Sequence, residues 1–327
     1  MPALKNKSEK QNKTTFITLK YQKFFLNFAY YFGNGFSNLK FARSTDQDTK
    51  KNYMKKARVL FVSQDITPYL DETPMGHIAR YLPQGIQERG KEIRTFMPRF
   101  GCINERRHQL HEVIRLSGMN LIIDDTDHPL IIKVASIQSA RMQVYFIDNE
   151  DYFSRKETLD KNGKPFADND ERAIFFCRGV IETVTKLGWN PDIVHCHGWF
   201  TGLIPMYLKR SFRDNPLFAE TRVVYSAYND DFSGTLDKNM GKKAMWEGIE
   251  KGDLDNLKSP NYLAIQKTAI DFSDAVIKGS PKINSDLEKY IKKSGKPTLD
   301  YQKPEEYIDA YSEFYDEVLE LEPEYAD

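Results

Sequence analysis

Short apolar strands recurring between helical stretches constrain this chain most. ARVLFVS (57–63), DIVHCHG (192–198), TRVVYSAY (221–228) and SDAVIKGS (273–280) are nearly continuous apolar runs, and EIRTFMP (92–98) is a further strand pattern. A strand with one face in water alternates apolar and polar residues, whereas a strand covered on both faces reads as an unbroken run. Helical patterns fill the gaps. Ile78, Leu82 and Ile86 share a stripe ending at Arg89-Gly90, and ERAIFFCRGVIETVTKLG (171–188) is apolar over a wide face and closes at Gly188. A further helix is expected over 201–211. This alternation predicts an α/β, Rossmann-like three-layer sandwich over most of 57–290, with a parallel sheet and right-handed crossovers. LIIDD (121–125), PLIIKVASI (129–137) and MQVYFID (142–148) follow one another too closely for crossover helices and predict added strands or hairpins.

The 327 residues are 40% hydrophobic, enough for one or two domains with real cores. Forty-seven basic side chains balance 47 acidic ones. That balance excludes a general electrostatic affinity for nucleic acid or an anionic membrane. Three cysteines, Cys102, Cys177 and Cys196, are too few for a disulfide scaffold, so a reducing, cytoplasmic setting is expected. Residues 1–53, polar at both ends and crowded with aromatics over 21–42, lack the uninterrupted length of a membrane span and the pattern of a signal peptide. They read as an extension outside the fold. The regular pattern starts at Met54, so the domain is expected over 54–293, followed by a linker and helix over 294–327.

HCHGWF (195–200) carries the densest chemistry. A strand ending at Val194 puts His195, Cys196 and His197 at the carboxyl edge of a parallel sheet, where ligands bind in open α/β folds. A zinc site wants three or four converging ligands, yet neighbours in an extended segment alternate sides, so only His195 and His197 would point together. No other Cys or His pair at useful spacing completes a shell, so no metal is expected. Cys196 as a nucleophile needs a base and an orienting group for which there is no local signature, and cysteine is commonly a small buried hydrophobe. A sugar or nucleotide site is the third reading. The loop QDITPYLDETPMG (64–76) leads to a helix N-terminus at the same edge, but it lacks the glycine spacing of a dinucleotide fingerprint, and Asp71 and Glu72 would repel phosphate.

Several stretches resemble the glycogen and starch synthase family in order along the chain. VSQDITPY (62–69) and ARYLPQGIQERGKEIRTFMPRFG (79–101) look like that family's opening strand, loop, helix and MPRYG strand. ADNDERAIFFCRGVIE (167–182) is similar to its DN-x-x-RF helix, and DIVHCHGWFTGLIP (192–205) to DVVHAHDWHTGLVP. VVYSAYNDDFSG (223–234) is similar to VFTIHNLAYQG, and DFSDAVIKGSP (271–281) to YADAVTTVSP. The resemblance implies a GT-B N-terminal catalytic-type domain and a glucosyltransferase that moves glucose from ADP- or UDP-glucose to the non-reducing end of an α-1,4-glucan. It implies no cofactor, the nucleotide sugar being a substrate. By the same resemblance His197 contacts the donor sugar as the catalytic residue, and Asp168, Asn169, Arg172, His195, Trp199 and Asn229 form the substrate site.

The departures from that pattern are specific. The family's KTGG turn falls on Asp71, Glu72, Thr73 and Pro74, the aspartate of HAHDW is Gly198, the residue after its tryptophan is Phe200, and the histidine of TIHN is Tyr228. Residues 282–327 cannot hold the family's second α/β domain. KPEEYIDAYSEFYDEVLELEP (303–323) carries an apolar stripe at Tyr307, Ile308, Tyr311, Phe314, Tyr315, Val318 and Leu319, and resembles the final GT-B helix that crosses back onto the N-terminal domain. Two alternatives to a self-sufficient enzyme stand beside it. One is a glucan-binding or regulatory module that stacks sugars on Trp199, Phe200, Tyr228 and Phe232. The other is a subunit whose partner protein supplies the second half. A basic side chain such as Arg80, Arg99 or Lys267 folded over Asp71 and Glu72 would favour donor binding.

Overall fold

A computed structural model describes residues 56–321; the extension assigned to 1–53 and the last six residues lie outside the described residues. Twelve strands are described: β1 (Arg58–Ser63), β2 (Glu92–Pro98), β3 (His111–Glu112), β4 (Met119–Ile123), β5 (Thr126–Ile137), β6 (Met142–Asp148), β7 (Asp160–Lys161), β8 (Lys164–Pro165), β9 (Ile193–His197), β10 (Arg222–Ala227), β11 (Ala275–Lys278) and β12 (Thr298–Leu299). The main sheet runs β12-β11-β10-β9-β1-β2-β6-β5-β3, with β4 on β5. From β12 to β6 all neighbours are parallel. The added strands form an antiparallel annex on β6. Its β4–β5 hairpin turns at Asp124 and Asp125, both with positive φ, as a two-residue type I′ turn requires.

Residues alternate between two cores across the sheet, as period-2 geometry demands. Leu60, Val62, Val194 and Cys196 face the larger core with the long helix Asn169–Leu187, whose Gly188 cap adopts the left-handed conformation. Val59, Phe61 and Ile193 face the smaller core with Leu82 and Ile86 of the Pro74–Glu88 helix. That smaller face is closed by the Tyr307–Leu319 helix through Tyr307, Tyr311, Phe314, Tyr315 and Val318, all buried. The stripe expected of this helix is thus covered by the chain's own sheet. Lys91 anchors its far side by ion pairing with Asp316 at 2.9 Å.

Two local expectations need correction. The strand carrying HCH does not stop at Val194 but continues through His197, because that residue pairs with both Ser63 of β1 and Ser226 of β10. The expected 201–211 helix is split into a 3₁₀ turn, Trp199–Thr201, and a short helix, Ile204–Lys209. No helix among the described residues is long and apolar enough to cross a membrane.

Candidate functional site

The site is organised by the last residues of β9. His195 and His197, two apart, project to the same side, with ring centroids 3.8 Å apart. Both are fully buried. His195 is hydrogen-bonded at both nitrogens, Nδ1 to the Tyr315 hydroxyl at 2.6 Å and Nε2 to the Ser226 hydroxyl at 2.7 Å. His197 Nδ1 is hydrogen-bonded to the Tyr228 hydroxyl at 2.8 Å, while its Nε2 has no partner. Burial pushes the His197 imidazole down to about 3. Burial first, and then the neighbouring His197, push His195 well below its usual value. Both rings are therefore neutral at neutral pH, and each offers one donor and one acceptor.

After His197 the backbone turns at Gly198, with φ +80°, where a Cβ would meet Met75 Cε at 2.7 Å and the Asp230 Oδ2 and Gln64 Oε1 oxygens at 2.9 Å. Those oxygens belong to the segments that follow β10 and β1. Asp230 Oδ2 accepts from the Trp199 N–H at 3.3 Å, and Gln64 Oε1 from the Phe200 N–H at 3.4 Å. The Tyr262 hydroxyl lies 2.6 Å from the Tyr228 carbonyl oxygen and 2.9 Å from Asp230 Oδ1. Burial pushes the Asp230 carboxyl up to about 6. Gly279, at the end of β11, leaves room for the Tyr228 ring: a Cβ there would lie 2.6 Å from it.

The second group of expected residues sits at the start of the long helix. Asp168, its N-cap, ion-pairs with Arg155. Asn169 donates to the Leu159 carbonyl at 2.7 Å and accepts from Arg172 at 2.7 Å. The buried Arg172 guanidinium donates to the Tyr152 carbonyl at 2.8 Å and lies over the rings of Phe100, Phe153 and Phe166; its remaining Nη2 has no partner. Burial lowers it to about 10, so it stays cationic at neutral pH. Phe100 and Leu159 also line an open cleft of about 650 Å³ at the carboxyl edge of the sheet, bordered by Asp65, Asp71, Arg107 and Lys156. Asn169 and Arg172 thus brace a cleft wall from behind.

Other expected residues divide. Asn229 is exposed at the end of β10, its backbone N–H donating to the Ser280 hydroxyl. Trp199 (3% exposed), Phe200 (0%) and Tyr228 (2%) are core residues, so the sugar-stacking platform expected of them is not formed. Phe232 packs edgewise on Tyr262 and against Trp199. The physical reason is the strand extension through His197, after which Trp199 packs on Phe232, Phe200 on Phe100 and Phe176, and Tyr228 turns inward to His197. Asp71 and Glu72 are exposed. Arg80, Arg99 and Lys267 are engaged elsewhere: Arg80 with Gln84 and Ser139, Arg99 with Glu105 and Asp148, and Lys267 over the Tyr290 ring. Thr73 instead caps the 74–88 helix by accepting from the Gly76 N–H at 2.8 Å, and its hydroxyl donates to Asp65 at 2.7 Å.

Cys196 is fully buried and its thiol is pushed well up by burial, the opposite of a reactive thiolate. Among the described residues no group of three or more His, Cys, Asp or Glu side chains is placed to hold a metal ion. Sequence reasoning missed Asp230, Tyr262, Ser226 and Tyr315. Only the acidic pair after Asn229 offered a signal, because carboxylates are costly in an otherwise apolar strand-end segment unless they are paired.

Residues 58–296 match the family described as starch synthase catalytic domain. The chain is 36% identical over 194 residues to the glycogen synthase of Chlorobium limicola, covering 59% of this chain and 40% of that protein. It is 32% identical over 239 residues to that of Chlorobaculum parvum, covering 71% and 46%. Among solved structures, the catalytic domain of starch synthase IV from Arabidopsis thaliana, bound to ADP and acarbose, superposes with a TM-score of 0.63 at 18% identity, covering 76% of this chain and 52% of that one. That likeness shows the shared fold. The chain spans about 40% of the length of the first of these relatives. With a match that runs from β1 through the 285–294 helix, the chain belongs to the starch synthase catalytic domain family.

Proposed function

We propose that the protein is a starch/glycogen-synthase-type glucosyltransferase, moving glucose from ADP- or UDP-glucose to the non-reducing end of an α-1,4-glucan with retention. The supporting observation is the family match over 58–296, which includes both the His195–His197 strand end and the Asp168–Arg172 helix start. In this reading the unpartnered Nε2 of His197 is the atom left to contact the donor sugar, while Asp168, Asn169 and Arg172 hold the acceptor side of the cleft. His195 and Trp199 support the turn, and Asn229 offers an exposed amide. His197 is covered in this conformation, so sugar contact needs the Gly198 turn or the Tyr228 ring to move aside. Neither metal nor cofactor has a part. Positioning and charge stabilisation supply the acceleration.

The departing diphosphate needs cations. Arg107 and Lys156 border the cleft beside Asp71, and with Asp71 and Glu72 at the family's lysine turn and Arg80, Arg99 and Lys267 engaged elsewhere, the remaining cations come from a second α/β half, in the same polypeptide or on a partner protein. The setting is the cytoplasm, in keeping with its three unpaired cysteines.

The test is incorporation of labelled glucose from ADP-glucose and UDP-glucose into glycogen by the full chain, beside a His197→Ala variant of matched thermal stability. Incorporation that the substitution abolishes supports the reading. Incorporation unchanged in the variant, or none by the wild type even with a purified relative's C-terminal half added, sinks it.

A further inference from the structure

We propose that Asp230, in the segment that follows β10, is a positioning residue for His197; the inference rests on the glucosyl-transfer reading only for its kinetic consequence. Position 198 has no room for a carboxylate of its own, because a Cβ there would lie 2.9 Å from Asp230 Oδ2.

What the carboxylate does follows from capping. The first N–H groups of a helical turn lack partners within it, and an aspartate at the N-cap normally accepts from them. Gly198 occupies the N-cap of the Trp199–Thr201 turn and makes no side-chain cap bond. Asp230 does that from the segment after the neighbouring strand β10, accepting the Trp199 N–H at 3.3 Å. Its other oxygen lies 2.9 Å from the Tyr262 hydroxyl, which reaches the Tyr228 carbonyl oxygen at 2.6 Å, and the Tyr228 hydroxyl in turn meets His197 Nδ1 at 2.8 Å. Asp230, Tyr262, Tyr228, His197 and Trp199 thus form a closed ring of hydrogen bonds and one covalent turn. The ring fixes His197 from two directions, through the backbone that follows it and through its Nδ1. The Tyr228 hydroxyl occupies Nδ1 and leaves Nε2 as the free atom, while Asp230 holds the backbone on both sides of that contact, at Trp199 and through Tyr262 at Tyr228.

The experiment uses the full chain labelled with 15N at histidine, with the His197 ring signals assigned by their loss in His197→Gln. Asp230→Ala and Tyr262→Phe are each expected to shift the His197 ring signals and leave those of the exposed His111 in place. Asp230→Asn, which keeps an oxygen acceptor for the Trp199 N–H, is expected to restore them. In the transfer assay Asp230→Ala should lower kcat about 100-fold with KM for glycogen little changed, as for a group misplaced by about an ångström, and Asp230→Asn should recover most of it. His197 signals unmoved in Asp230→Ala overturn the proposal; if that variant does not fold, unmoved signals in Tyr262→Phe do the same. A wild type without transfer activity defeats the functional reading alone, since the ring signals still decide whether Asp230 positions His197.

Discussion

The hydroxyl of Tyr315 lies 2.6 Å from Nδ1 of His195, tying the 307–319 helix to the strand that carries the candidate site across 120 residues of sequence. This bond is part of a short polar chain, Tyr315–His195–Ser226, set among Phe61, Ile193 and Phe314. A polar group left without a partner there is costly, so the pair specifies where the helix docks.

Tyr315→Phe keeps the ring and leaves His195 Nδ1 without its partner. The expected loss is about 1–3 kcal/mol in urea unfolding, with the denaturant slope unchanged. Ending the chain at residue 302 is more severe. It uncovers the face now covered by Tyr307, Tyr311, Phe314, Tyr315 and Val318. At about 1.5–3 kcal/mol for each large apolar side chain, the loss rivals the whole stability of a domain. Near-ultraviolet circular dichroism should show loss of fixed tertiary packing, and an equally stable truncation would remove the proposed role of this helix.

Gly279→Ala should act on His197 at a distance. Its Cβ would lie 2.6 Å from the Tyr228 ring, so the ring must shift and its hydroxyl leave His197 Nδ1. Overpacking of this kind costs about 1–3 kcal/mol. Gly198→Ala adds backbone strain at φ +80° to overlap with Met75, Gln64 and Asp230 and should be the more damaging of the two in thermal unfolding.

Acid should destabilise the fold through its buried imidazoles. His197, pushed down to about 3, stays neutral when folded, whereas the unfolded ring takes up a proton below about 6.5. Its contribution is therefore complete above that value and is lost as pH falls towards 3; His195 acts in the same direction. Asp230 opposes this trend. Its carboxyl is pushed up to about 6, so the stability it contributes is present below its usual 3.8 and is lost as pH rises through 6. Urea midpoints between pH 7.5 and 4 should fall with pH, and the fall should be steeper in Asp230→Asn.

Charge reversal at the first loop should improve nucleotide binding. Asp71 lines the cleft at the carboxyl edge, and both it and the adjoining Glu72 are exposed. Replacing both with lysine converts repulsion of a diphosphate into attraction, each exposed charge contributing up to about 1 kcal/mol. Calorimetric titration with ADP at low salt should show affinity rising about tenfold or more. Unchanged affinity would place the diphosphate elsewhere.

Lys243→Met should weaken the helix that carries Asp168 and Arg172. Lys243 pairs with Asp170 at 2.9 Å, Glu171 at 2.6 Å and Asp237 at 2.8 Å, and the Asp170 side chain is wholly buried. Removing the cation leaves that carboxylate uncompensated, at a cost of about 3–5 kcal/mol in chemical unfolding.

The sequence by itself determined the elements and their order. Continuous apolar runs marked strands covered on both faces, Gly188 marked the end of the long helix, and period-2 alternation placed His195 and His197 on one side with Cys196 on the other. These signals are local, because the strand and helix repeats are properties of a few neighbouring residues. The stripe from Tyr307 to Leu319 likewise announced a helix that needed a covering surface. Tertiary structure decided what each side chain meets. The burial of Trp199, Phe200 and Tyr228, the pairing of His195 with Tyr315, and the capping of the Trp199 turn by Asp230 all join segments from separate strands and helices. A pattern of spacing carries no record of such partners. They are fixed only when the sheet brings β1, β9, β10 and β11 side by side, and most polar atoms shut off from water take a neighbouring group that can satisfy them, His197 Nε2 and Arg172 Nη2 being exceptions.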